Sequence, residues 1–74
     1  MTDSKCLYTV VESSLLAAAA YTTDQILQLQ FRSGALYRYF AVPSAVFQAL
    51  IAAESKGAYF NRNIRNRFHY QRLV

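Results

Sequence analysis

The sequence predicts an α+β fold, a three-stranded antiparallel β-meander followed by two short helices packed on one face. Residues 26–32 alternate, with Leu27, Leu29 and Phe31 on one side and Gln28, Gln30 and Arg32 on the other, which is the period of a half-buried strand. Arg32-Ser33-Gly34 supplies turn chemistry before a second run, residues 36–41, that holds Tyr37 and Tyr39. Pro43 then opens a stretch whose apolar residues recur at helical spacing.

The elements follow in chain order. Residues 1–12 are polar apart from the short apolar patch at 7–11, the composition of a terminal segment that is loosely held. Residues 15–21 satisfy helix or strand on periodicity, but Thr22-Thr23-Asp24 closes them after one short run, so they are read as the first strand of the meander. Residues 26–32 form the second strand and 36–41 the third. A three-residue loop with Gly34 in the left-handed position sets Leu29 opposite Tyr37 and Leu27 opposite Tyr39. A two-residue turn would instead bury Arg38 without a partner, at a cost of several kcal/mol. Residues 43–54 form the first helix, with Pro43 at its first turn and Val46, Phe47, Leu50 and Ile51 as its apolar stripe. Ser55 caps the second helix, residues 56–63, where Phe60 and Ile64 pack inward and Arg62 and Arg65 project outward.

A chain of 74 residues is expected to hold one domain, residues 13–74, that buries roughly 60% of its unfolded surface. With 54% hydrophobic and 16% charged residues, the composition is globular rather than disordered. Cys6 is the only cysteine, which excludes an internal disulfide and points to the reducing cytoplasm. One Cys and one His fall short of a structural zinc site, and no metal or other cofactor is expected. The apolar run 15–21 is far below the ~20 residues of a membrane span. Read as a signal peptide, it is interrupted by Glu12 and Ser13-Ser14.

Charge is distributed unevenly. Of a net +4, the last twenty residues carry Lys56, Arg62, Arg65, Arg67 and Arg72 with no acid, while the rest of the chain is slightly negative. Tyr59, Phe60, Phe68 and Tyr70 are threaded among these cations, the pattern of a polyanion-binding surface. Arginine bonds phosphate oxygens bidentately, and each contact releases counterions. The candidate nucleic-acid-binding residues are therefore Lys56, Arg62, Arg65, Arg67 and Arg72, with Arg38 added from the third strand. Five phosphate contacts to a single strand predict a slope of about −3 in log K against log salt.

The same residues resemble the KTSC domain, a short bacterial module named for the C-terminus of some lysyl-tRNA synthetases. The likeness spans residues 12–73. It rests on Ser13-Ser14, Tyr21, Phe31-Arg32-Ser33-Gly34, Tyr37-Arg38-Tyr39, Val42-Pro43, Ser55-Lys56-Gly57 and Phe60-Asn61-Arg62-Asn63-Ile64-Arg65. Tyr37, Tyr39, Phe60, Asn61 and Ile64 are its structural motif. Ala19-Ala20, Asn66 and Phe68-His69 depart from the family's usual choices. The resemblance implies a function only as far as a suggestion of RNA binding drawn from the synthetase association.

The expected function is that of a small non-enzymatic module binding nucleic acid, RNA favoured. The alternative is a protein-interaction module whose basic face docks an acidic protein, or which forms a homodimer through Leu36 and Phe40. Tyr37 and Tyr39 are read as core residues with hydroxyls that need partners, Ser13, Ser14 and Asn61 being candidates, rather than as stacking platforms. His69 lacks a second proton-transfer group nearby, and Ser13-Ser14 lacks a nucleophile elbow, so neither defines an enzyme. Turn bonding accounts for the serines, and helix-end capping for Asn61 and Asn63.

Overall fold

Register in the central hairpin decides which side chains are buried. Leu29 lies opposite Tyr37 and Leu27 opposite Tyr39, across strands spanning Leu27–Phe31 and Leu36–Tyr39. This is the arrangement that keeps Arg38 off the core. Phe31 N donates to Ala35 O and Gly34 N to Phe31 O, both at 2.9 Å, closing the three-residue loop. Gly34 has φ +99° with nothing within 4 Å of an added Cβ, so backbone conformation alone demands glycine there. Gly34→Ala should cost about 1–2 kcal/mol in urea unfolding, with the slope unchanged. Unaltered stability would remove the left-handed turn from the account.

The structure, a computed structural model, describes residues 6–10 and 13–74. Its elements are β1 (Cys6–Val10), β2 (Leu16–Thr22), β3 (Leu27–Phe31), β4 (Leu36–Tyr39), α1 (Ser44–Ala52), α2 (Lys56–Asn63) and β5 (Tyr70–Arg72). The α+β class and the antiparallel meander are as expected. The sheet, however, has five strands in the order β1-β2-β3-β4-β5 rather than three. Strand β5 reads Tyr-Gln-Arg with every residue exposed, so it offers no apolar alternation to detect. Strand β1 falls within the segment expected to be loosely held, and the other residues of that segment lie outside the described ones.

Between Leu16 and Ala18 the β2–β3 register shifts, and Leu16 and Ala19 are both buried although three positions apart. Such a bulge breaks the two-residue period and explains why residues 15–21 read ambiguously. Ser13 Oγ accepts from Leu15 N at 3.1 Å and Leu16 N at 3.3 Å, the turn role expected of it.

Pro43 stands one position earlier than expected. It is the extended N-cap of α1, and its carbonyl accepts from Val46 N at 3.0 Å. Its ring fixes φ at −62°, and its cap position leaves Ser44 as the first helical residue. Ser55 caps α2 as predicted, accepting from Ala58 N at 3.3 Å. Both helices cover one sheet face. The Tyr21 ring stacks on Phe47 of α1 at 4.9 Å, and its hydroxyl donates to Val42 O at 2.6 Å. Phe60 of α2 meets Phe31 edge-on at 5.3 Å and Tyr39 at 5.8 Å. Leu16, Leu27, Leu29, Val42, Leu50 and Ile64 complete the core.

Candidate functional site

Strand parity sends Tyr37 and Tyr39 of β4 toward the helix side, and β5 pairs so that Tyr70 lies opposite Tyr39 and Arg72 opposite Tyr37. The result is a cleft of about 570 Å³ between β4–β5 and the end of α2, within the ordinary range for ligand sites. Phe31, Tyr37, Tyr39, Phe60 and Tyr70 form its aromatic lining. Asn61, Arg65, Asn66 and Arg72 supply much of its polar lining, and among the described residues no carboxylate lines it.

The tyrosine rings form a near-equilateral triangle. Ring centroids are 6.2 Å apart for Tyr37 and Tyr39, 5.6 Å for Tyr37 and Tyr70, and 5.6 Å for Tyr39 and Tyr70. Tyr39 is buried and packs on Phe60, Tyr37 is half-buried, and Tyr70 is 56% exposed. Tyr39 is thus the core residue the sequence suggested, while Tyr37 and Tyr70 present ring surface to the cleft. The Arg72 guanidinium lies 5.7 Å from the Tyr37 ring centre, a cation–π distance, and its Nε donates to Val74 O at 2.8 Å.

Burial pushes the Tyr39 phenol up to about 12, with Tyr37 and Tyr70 adding to the rise and Arg65 opposing it. Burial also raises Tyr21. A phenol raised in the folded state stabilises the fold fully below the unfolded value of 10.0 and loses that contribution as pH climbs through the folded value. Unfolding free energy should therefore fall between pH 10 and about 12, in step with the ultraviolet phenolate band. A flat profile there would contradict a protonated, buried Tyr39.

The predicted site residues are not all brought together. Arg65 and Arg72 reach the cleft with Tyr37, Tyr39, Phe60 and Asn61. Ile64 is fully buried beneath it. Arg62 is exposed on α2, while Arg67 lines a separate dip with Phe40, Phe68 and His69. Lys56 is turned back, its Nζ donating to Ala53 O at 2.9 Å between the helices. Arg38, in register with Gln28 and Gln71, lies on the opposite sheet face. On that face Leu36 is half-buried in a shallow dip with Ala18, Ala20, Gln28 and Gln30, and Phe40 lies apart from it in the dip with Arg67. Asn63 bonds Tyr59 O at 3.3 Å as a helix-end residue, whereas Asn61 faces the cleft. The hydroxyl partners expected for Tyr37 and Tyr39 at Ser13, Ser14 and Asn61 are not formed among the hydrogen bonds of the described residues. Sequence reasoning singled out Tyr70 only as one aromatic among cations, since its pairing with Tyr39 depends on a strand without an apolar signal.

Among the described residues no cluster of three His, Cys, Asp or Glu could hold a metal, and no helix is long and apolar enough to cross a membrane. A five-stranded antiparallel sheet with two helices on one face and an aromatic cleft lined by β4, β5 and the end of α2 defines a small α+β domain. The chain belongs to the KTSC domain family, whose model matches residues 12–68. A protein of Tsukamurella paurometabola is 49% identical over 59 residues, 78% of this chain and 88% of that protein. The lysine–tRNA ligase of Nostoc sp. is 40% identical over an alignment covering 99% of this chain but only 14% of the ligase. The crystal structure of a KTSC domain protein from Yersinia pestis superposes with a TM-score of 0.88 at 28% identity, covering 93% of this chain and 99% of that one.

Proposed function

We propose that this KTSC domain protein is a non-enzymatic module that binds single-stranded nucleic acid, RNA favoured, in the cleft between β4–β5 and α2. One observation carries the reading: Tyr37 and Tyr70 present aromatic surface beside Arg65 and Arg72 in a cleft with no carboxylate among its described lining residues. Unpaired bases stack on aromatic rings whatever their identity, and arginines meet the phosphates between them. A cleft this size admits single-stranded segments rather than a duplex. RNA is favoured because relatives of the whole chain occur within lysine–tRNA ligases, which are named for a tRNA substrate.

Contacts through Arg65 and Arg72 give a slope of about −1.4 in log K against log salt for a single strand. Fluorescence anisotropy with a labelled single-stranded RNA tests this. A flat salt dependence, or no binding at roughly 10 μM protein in dilute buffer, would overturn the reading.

A second reading rests on the helix-free sheet face, where half-buried Leu36 lies beside Arg38. There a second copy would form a homodimer seam over Leu36, with Phe40 in a neighbouring dip at its margin. A dimer mass that survives high salt and is lost in Phe40→Arg would favour it over the cleft.

A further inference from the structure

The tyrosine triangle has a property that stacking does not use. Tyr37, Tyr39 and Tyr70 stand on adjacent strands and project from the same sheet face, with their rings 5.6 to 6.2 Å apart. All three line the cleft together with Arg65, and buried Tyr39 marks its inner end. Tyr21, on the same side, has its hydroxyl bonded to Val42 O at 2.6 Å, whereas none of the hydrogen bonds of the described residues uses the hydroxyl of Tyr37, Tyr39 or Tyr70. A protonated phenol donates one hydrogen bond, and a guanidinium donates several and only donates. Three hydroxyl-bearing rings and the Arg65 cation thus line one cleft, with no carboxylate among its described lining residues.

That donor set fits a particular anion. An internal phosphodiester offers two terminal oxygens and one charge, whereas a phosphate monoester offers three terminal oxygens and a charge of about −1.5 to −2 at neutral pH. Three hydroxyls match three oxygens, and Arg65 offsets the second charge. We infer that Tyr37, Tyr39, Tyr70 and Arg65 form a pocket for the terminal 5′-phosphate of a single-stranded nucleic acid. The inference rests on the proposed binding of single strands in this cleft. It adds which part of the strand is held at the inner end. The first base then stacks on the exposed ring of Tyr70, and Arg72 meets the next phosphate.

Matched RNA oligonucleotides carrying either a 5′-phosphate or a 5′-hydroxyl separate the two claims. The 5′-phosphorylated strand should bind the wild-type protein about tenfold or more tightly than its 5′-hydroxyl counterpart, because charge-assisted bonds are the strong ones. Tyr39→Phe/Tyr70→Phe keeps the rings and removes two hydroxyls. It should bring the ratio of the two affinities to about one, whereas lost packing would weaken both strands alike and leave the ratio unchanged. Arg65→Gln, at an exposed position, should weaken both strands, as loss of a cleft arginine requires, and should weaken the phosphorylated one further, so that the ratio between them falls toward one even if the phenylalanine variant does not fold. Equal binding of the two strands would overturn the phosphate pocket and leave single-strand binding standing, as would a preference that persists in both variants. Failure of both strands to bind would overturn the pocket together with the reading beneath it.

Discussion

Replacing Arg65 and Arg72 together with glutamine is expected to weaken binding of single-stranded RNA by about 100-fold at moderate salt. A hydrogen bond to a charged group contributes about 1.5 kcal/mol at the lower end, and each 1.4 kcal/mol is a factor of ten. Both residues are exposed and line the cleft, so their removal should leave stability within about 0.5 kcal/mol. The salt slope should become shallower by about 1.4 as two phosphate contacts disappear. Arg38→Gln is the matched control. It removes one positive charge from the opposite sheet face, half of what the double variant removes, and should change affinity by no more than about twofold, through the screened field alone. Anisotropy titrations of the three proteins at two salt concentrations measure all of this. Equal losses from both faces would mean that net charge, rather than the cleft, governs binding.

The largest effect on stability is expected at Phe60. Its ring is 5% exposed and meets Phe31 and Tyr39 edge-on, so α2 is fastened to the sheet largely through this side chain. Phe60→Ala should cost about 3–5 kcal/mol, through lost transfer energy and the cavity left behind. Small single cores supply about that much in total, so the variant should be largely unfolded at room temperature. Phe60→Leu, closer in volume, should lose less and remain folded. Urea unfolding followed by circular dichroism distinguishes the two. A well-folded Phe60→Ala protein would show that α2 is held by other contacts. The same ring closes one side of the cleft, so stability and site are built from one residue.

Much of the fold was legible because a few residues were strongly constrained. The parity argument at Arg32-Ser33-Gly34 gave the pairing of Leu29 with Tyr37, since the alternative buried a charge. Ser55 and the Phe60–Ile64 spacing located α2 at the bounds observed. Strand β5 was not legible, because its residues are all exposed and its order comes from backbone pairing with β4. The site suffered from the same gap. Counting charges gathered Lys56, Arg38 and Arg67 with Arg65 and Arg72, yet charge carries no direction. Lys56 spends its ammonium on Ala53 O, and Arg38 is turned away by the parity that buries its tyrosine neighbours. Tyr70 joins the cleft only once β5 is in place.

The central claim is that single strands bind between β4–β5 and α2. Its most direct test is a two-dimensional amide NMR titration of the protein with single-stranded RNA. The account predicts shifts concentrated at Tyr37, Tyr39, Asn61, Arg65, Tyr70 and Arg72, with Gln28, Gln30 and Ala18 on the far face little changed. Shifts centred on Leu36 and Arg38, or spread evenly over every basic residue, would contradict it.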